Sequence, residues 1–139
     1  MKLISKASQY FFLYWQQLLT VNRTNLDFLF IRVYLIILIS TNFFIWLFAY
    51  YINLLANKKL IALSYNVDFG INLIGSSQNI YLIPLIGIII ILINYFLTTI
   101  FHRSKNYKFI AHILLLAAVI TQLLFLLVLA IVYLINFKT

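Results

Sequence analysis

The chain has 139 residues, of which 65% are hydrophobic, 18% aromatic and only 9% charged. So apolar a composition excludes a soluble globular domain and leaves an integral membrane protein. Ten Lys and Arg face two acids, Asp27 and Asp68, giving a formal charge of +8. These cations flank apolar runs rather than clustering, which suits anionic lipid headgroups and topology control and argues against nucleic acid as a partner. There is no cysteine, which excludes disulfides, thiolate nucleophiles and thiolate metal sites together.

The first stretch, residues 3–21, is too polar to cross a bilayer. Leu3, Ala7, Tyr10, Tyr14, Leu18 and Val21 recur at three- and four-residue spacing, with Lys2, Ser5, Gln9, Gln16 and Thr20 opposite. This predicts an interfacial helix in the membrane plane, or one packed across the ends of the spans. Lys2 and Lys6 precede an aromatic stretch, but Gln16 and Gln17 break it and no small-residue cleavage site follows, so no signal peptide is predicted. Asn22, Thr24 and Asn25 then supply turn and cap chemistry before the next helix.

Three runs are long and apolar enough to span: residues 33–55, 80–101 and 109–135. The third stays apolar to Phe137 and is longer than a bilayer needs, which predicts tilt or protrusion near Tyr133 and Asn136. The connection 102–108 carries Arg103, Lys105 and Lys108, and its shortness makes the second and third helices neighbours. With the N-terminus inside, Lys2, Lys6, Arg23, Arg32, Arg103, Lys105 and Lys108 are cytoplasmic, against Lys58, Lys59 and Lys138 outside. The bias predicts a multi-pass protein with a cytoplasmic N-terminus and an extracytoplasmic C-terminus, the Lys58–Lys59 pair being the contrary evidence.

The outer loop, residues 57–79, has a different period. From Ile61 to Leu73 every odd position is large and apolar, while the even ones read Ala62, Ser64, Asn66, Asp68, Gly70 and Asn72. Strict alternation predicts a strand with one buried face. Its backbone must be satisfied by a hairpin, another chain or water, and a turn at Gly70 would make two short strands. Tyr65, Asp68, Phe69, Gly70 and Asn72 form the candidate partner-binding loop, the competing reading being an amphipathic stretch lying on the membrane or the helix tops. The fold class expected is therefore an all-α membrane protein with three transmembrane helices, an N-terminal interfacial helix and a strand-like extracytoplasmic loop.

Polar residues inside the spans are costly in hydrocarbon and turn inward. Asn42, Ala49, Asn53 and Ala56 share a face of the first span; Pro84, Gly87, Asn94 and Thr98 share one of the second; Ala111, Ala118 and Gln122 share one of the third. Counted from the predicted helix ends, Asn42 and Asn94 lie at similar depth and should meet. Gln122 lies deeper, where it should bond a backbone carbonyl, Thr98 or another subunit. The residues Asn42, Asn53, Gly87, Asn94, Thr98 and Gln122 read first as interhelical glue and second as a polar lumen. Coupled transport commonly uses an ionisable group near the midplane, and the spans offer none. His102 and His112 are ten residues apart without a carboxylate, Asp27 and Asp68 fall on opposite sides, and Ser76 and Ser77 follow Gly75 without a base. No catalytic residue, metal site or cofactor is predicted.

The order Tyr65-Asn66-Val67-Asp68-Phe69-Gly70-Ile71-Asn72-Leu73-Ile74-Gly75, then Ile80-Tyr81-Leu82-Ile83-Pro84-Leu85-Ile86-Gly87 and Asn94, resembles small uncharacterised polytopic membrane proteins of candidate-phylum bacteria. The resemblance covers the middle third of the chain. It implies a bacterial inner-membrane protein and carries no activity. The sequence leads to a non-enzymatic assembly or accessory subunit that binds another membrane protein or itself, with a homo-oligomeric pore or small-solute transporter as the alternative.

Overall fold

The computed structural model describes residues 28–57, 60–66 and 70–137. The predicted interfacial helix, Asp27, Asp68 and Phe69 lie outside the described residues. In chain order the structure has helix α1 (Leu29–Ala56), strands β1 (Leu60–Asn66) and β2 (Gly70–Ser76), a 3₁₀ turn (Ser77–Tyr81), helix α2 (Leu82–Ile100), a second 3₁₀ turn (Phe101–Arg103) and helix α3 (Tyr107–Phe137). All three helices are long and apolar enough to cross a membrane, which makes this a multi-pass membrane protein.

The helix limits differ from those predicted, for one physical reason. Charged residues as the ends of spans predict a first helix from Val33, whereas α1 starts at Leu29 and carries Arg32 in its first turn. A long cationic side chain reaches the headgroups from inside the last turn, so its Cα need not mark the boundary. α3 likewise starts at Tyr107 and includes Lys108, so the connection narrows to Ser104–Asn106. At 1.5 Å per residue, the 28 residues of α1 extend about 42 Å and the 31 of α3 about 46 Å, more than a hydrocarbon core of about 30 Å. The second span begins with the 3₁₀ turn, where Ser76 Oγ accepts from the Gln78 N–H, and Pro84 falls in the first turn of α2, where its missing N–H costs little.

The helices pack along heptad-spaced stripes. α1 buries Ile31, Leu38, Asn42, Ile45, Ala49, Ile52 and Ala56, one heptad step followed by a three-four alternation from Leu38 to Ala56. α2 buries Pro84, Gly87, Ile91 and Thr98, and α3 buries Ala111, Leu115, Ala118, Gln122, Leu129 and Val132. A period of 3.5 keeps each seam facing its neighbours. Two apolar clusters result, one around Ile31, Leu38 and Leu115, the other around Ile45, Ile52, Ile80 and Leu129. The outward faces, including Ile36, Phe44 and Leu123, are apolar and exposed, as lipid-facing surface should be.

α1 ends at Asn57, whose left-handed conformation (φ 48°) directs its N–H to Leu54 O and turns the chain into β1. β1 and β2 form an antiparallel hairpin. Of the three ways the alternating segment could satisfy its backbone, the chain pairs with itself. Leu60, Ile61 and Ala62 oppose Ser76, Gly75 and Ile74; Tyr65 and Asn66 oppose Ile71 and Gly70. Between these blocks Ser64 opposes Leu73, so Leu63 on one strand and Asn72 on the other are each left without an opposite residue. The two irregularities compensate, and the pairing regains its register. Ile61 is buried and Leu63 packs against the cluster around Ile45 and Leu129, seating the hairpin on the ends of the helices.

Candidate functional site

The polar residues of the spans converge on one level of the bundle. Asn42 Nδ2 donates to Pro84 O at 3.1 Å and to Gln122 Oε1 at 3.3 Å. Gln122 Nε2 in turn donates to Gly87 O at 2.9 Å. These bonds join α1, α2 and α3 at residues that are almost wholly buried. Gly87 makes the approach possible, since a Cβ there would lie 2.5 Å from Asn42 Nδ2 and 3.0 Å from Gln122 Oε1. Small residues that let helices close in, with amides bonding across the contact, make a membrane packing site.

The expected pairing of Asn42 with Asn94 does not occur. Asn94 Nδ2 instead bonds its own helix at Ile90 O, 2.9 Å away, and Thr98 Oγ1 donates to Asn94 O. Depth explains the difference. Asn42 stands thirteen residues after Leu29, Gly87 thirteen before Ile100 and Gln122 fifteen after Tyr107, whereas Asn94 is only six from the end of its helix. Gln122 does reach a backbone carbonyl, as one of its predicted partners, but at the level of Asn42 rather than deeper. Moving the first helix start back to Leu29 restores the match.

Nearer the hairpin, Asn53 Nδ2 donates to Tyr81 Oη at 3.2 Å, and Tyr81 stacks on Trp46 with ring centroids 5.8 Å apart. Asn53 Oδ1 and Ser77 Oγ are buried there without a partner among the described residues. At the opposite end Phe28, His102 and Tyr107 form a ring cluster, while His112 stacks on Phe30 at 4.5 Å and places Nδ1 3.4 Å from Tyr34 Oη. Aromatic groups at both ends of a span are the usual membrane-interface anchors. Phe28 and Phe30, with ring centroids 5.7 Å apart, join the two histidines into one aromatic cluster.

Asn136 is the residue that sequence reasoning left without a role. Its Oδ1 accepts from the Ala62 N–H and its Nδ2 donates to the Ala62 carbonyl, both at 2.9 Å, with a further bond to Val132 O. The side chain closes the outer edge of β1 as a neighbouring strand would. Ladder geometry then sets the other edge. Ala62 turns both backbone groups away from β2, so its opposite, Ile74, turns its own N–H and carbonyl to the outer edge of β2. Among the described residues the sheet has only these two strands, and the Ile74 side chain is 61% exposed. Of the predicted loop residues, Tyr65 lies opposite Ile71 and Gly70 opposite Asn66, and Asn72 is the unmatched residue of β2.

No protein-family profile, curated protein sequence or solved structure matches the chain.

Proposed function

We propose that the protein is a non-enzymatic assembly or accessory subunit of a membrane complex, and that its hairpin is the surface that meets the partner. The observation that carries this reading is the unequal state of the two strand edges: Asn136 closes β1, while β2 presents the backbone of Ile74 outward. An open edge is a template for a further strand, and main-chain bonding with alternate side chains is a common recognition mode. The polar residues of the spans support the same reading. Asn42, Asn53, Asn94, Thr98 and Gln122 all make hydrogen bonds within the chain, which spends on packing the groups that a pore would turn to its lumen. The alternative of a homo-oligomeric pore lined by these residues has correspondingly less support.

In this reading the protein sits in a bacterial cytoplasmic membrane with its N-terminus inside. Arg32, Arg103, Lys105 and Lys108 share one end of the bundle, and Lys2, Lys6 and Arg23 precede it in sequence. The hairpin then faces the extracytoplasmic side.

Native mass spectrometry of the tagged protein, extracted in mild detergent from the cells that make it, tests the proposal. A reproducible complex with other polypeptides is expected, and Ile74→Pro should lower its recovery, because proline removes an outward donor without touching the bonds between β1 and β2. A discrete ring of copies carrying solute flux in liposomes would replace this reading with the pore.

A further inference from the structure

Between α1 and α2, on the side away from α3, runs a groove of about 430 Å³. Leu35, Ile39 and Trp46 of α1 and Ile88, Leu92 and Tyr95 of α2 line it, with Asn42 at its floor. We propose that this groove holds one acyl chain of an anionic phospholipid whose phosphate is bound by Arg32.

Shape and lining suit an acyl chain. From Leu35 to Trp46 the groove follows eleven residues of α1, about 16 Å at 1.5 Å each. The groove also runs along the helix axes, the direction in which lipid chains lie, and its walls are apolar apart from the amide edge at the floor.

Charge selects the headgroup. Arg32, Leu35, Ile39, Asn42 and Trp46 fall at three- and four-residue steps on a single stripe of α1, so the groove is continued toward the membrane surface by an exposed arginine. Arg103, Lys105 and Lys108 are exposed at the same end of the bundle. A guanidinium offers a planar fork of donors that matches phosphate, and its stem follows the apolar wall. From Arg32 to Trp46 is about 21 Å along the helix, so the methyl end of a chain anchored at Arg32 comes to the Trp46 ring.

Trp46 supplies the readout. In a Trp15→Phe background it is the remaining tryptophan of the two in the chain. The protein is reconstituted in phosphatidylcholine vesicles containing a minor fraction of lipid brominated near the chain end, either phosphatidylglycerol or phosphatidylcholine. Both lipids carry a phosphate, but in phosphatidylcholine the choline cation offsets its charge, so quenching should report a preference of about tenfold for the glycerol lipid, the scale of an uncompensated headgroup charge beside basic side chains. Arg32→Gln should abolish the preference, and Leu92→Phe, which narrows the groove, should reduce quenching by both lipids with helicity unchanged. Equal quenching by the two lipids would overturn the proposal in favour of bulk lipid alone. So would an emission shielded from both lipids that becomes quenchable on dilution, which would assign the groove to a second copy of the chain.

Discussion

Asn136 and Ala62, seventy-four residues apart, exchange two hydrogen bonds of 2.9 Å, so that a side chain at the end of α3 serves as the third strand of a two-stranded sheet. The isolated hairpin has little stability of its own in water. Ile61 and Leu63 give it an apolar seat on the helices, and Asn136 fixes where along α3 it sits.

Replacing Asn136 by Leu removes both bonds and leaves the Ala62 amide open. Each bond contributes about 0.5–1.5 kcal/mol net, so exchange of that amide should accelerate about ten- to a hundredfold by hydrogen–deuterium mass spectrometry. Asn136→Asp retains the acceptor, loses the donor and should fall between. Unaltered exchange in Asn136→Leu would mean that hairpin seating rests on apolar packing alone.

The contact of Asn42 with Gln122 predicts thermodynamic coupling. In a double-mutant cycle read by reversible unfolding in detergent micelles, Asn42→Leu and Gln122→Leu should couple by about 0.6–2 kcal/mol. Asn42→Leu and Asn94→Leu, which share no bond, should be additive within about 0.5 kcal/mol. The reverse pattern would restore the Asn42–Asn94 pairing expected from sequence.

Gly87→Ala places a methyl against the amides of Asn42 and Gln122. Those side chains are held by their own bonds and cannot yield without breaking them, so a loss of about 1–3 kcal/mol is expected. Adding Asn42→Ala removes the nearer of the two amides, at 2.5 Å from the added methyl. The double variant should therefore be more stable than the sum of the single changes, measured by the same unfolding assay.

Tyr81 serves Asn53 through its hydroxyl and Trp46 through its ring. Tyr81→Phe should cost about 1 kcal/mol, leaving the Trp46 environment intact. Tyr81→Ala should add about 0.5–1.5 kcal/mol for the ring pair and shift the emission of Trp46 in the Trp15→Phe background. Equal losses in the two variants would assign no role to the stacking.

The spans were legible because bilayer thickness imposes a length on apolar runs, and the hairpin was legible because alternation from Ile61 to Leu73 has no helical period. Pairwise contacts were less so. Whether Asn42 meets Asn94 or Gln122 depends on the helix starts, and Arg32 and Lys108 both lie inside helices rather than at the boundaries that their charge suggests. Asn94 also had an alternative that spacing does not reveal, the carbonyl of Ile90 one turn back in its own helix. Asn136 left no periodic signal, because pairing with a strand edge depends on where two distant segments meet. The excess length of the third apolar run was its one visible trace.

That Asn42, Gly87 and Gln122 lie at one depth has a bearing on how the molecule meets membranes of different thickness. A vertical slide of one helix past the others would separate amides from carbonyls and leave them unmatched in hydrocarbon, so relative sliding is closed as a response to mismatch. What remains is leaning of the bundle as a unit and adjustment at its overlong ends. The hairpin is carried on those ends by Asn136, so a change of bilayer thickness reaches it as a change of height and inclination, with its strand pairing untouched.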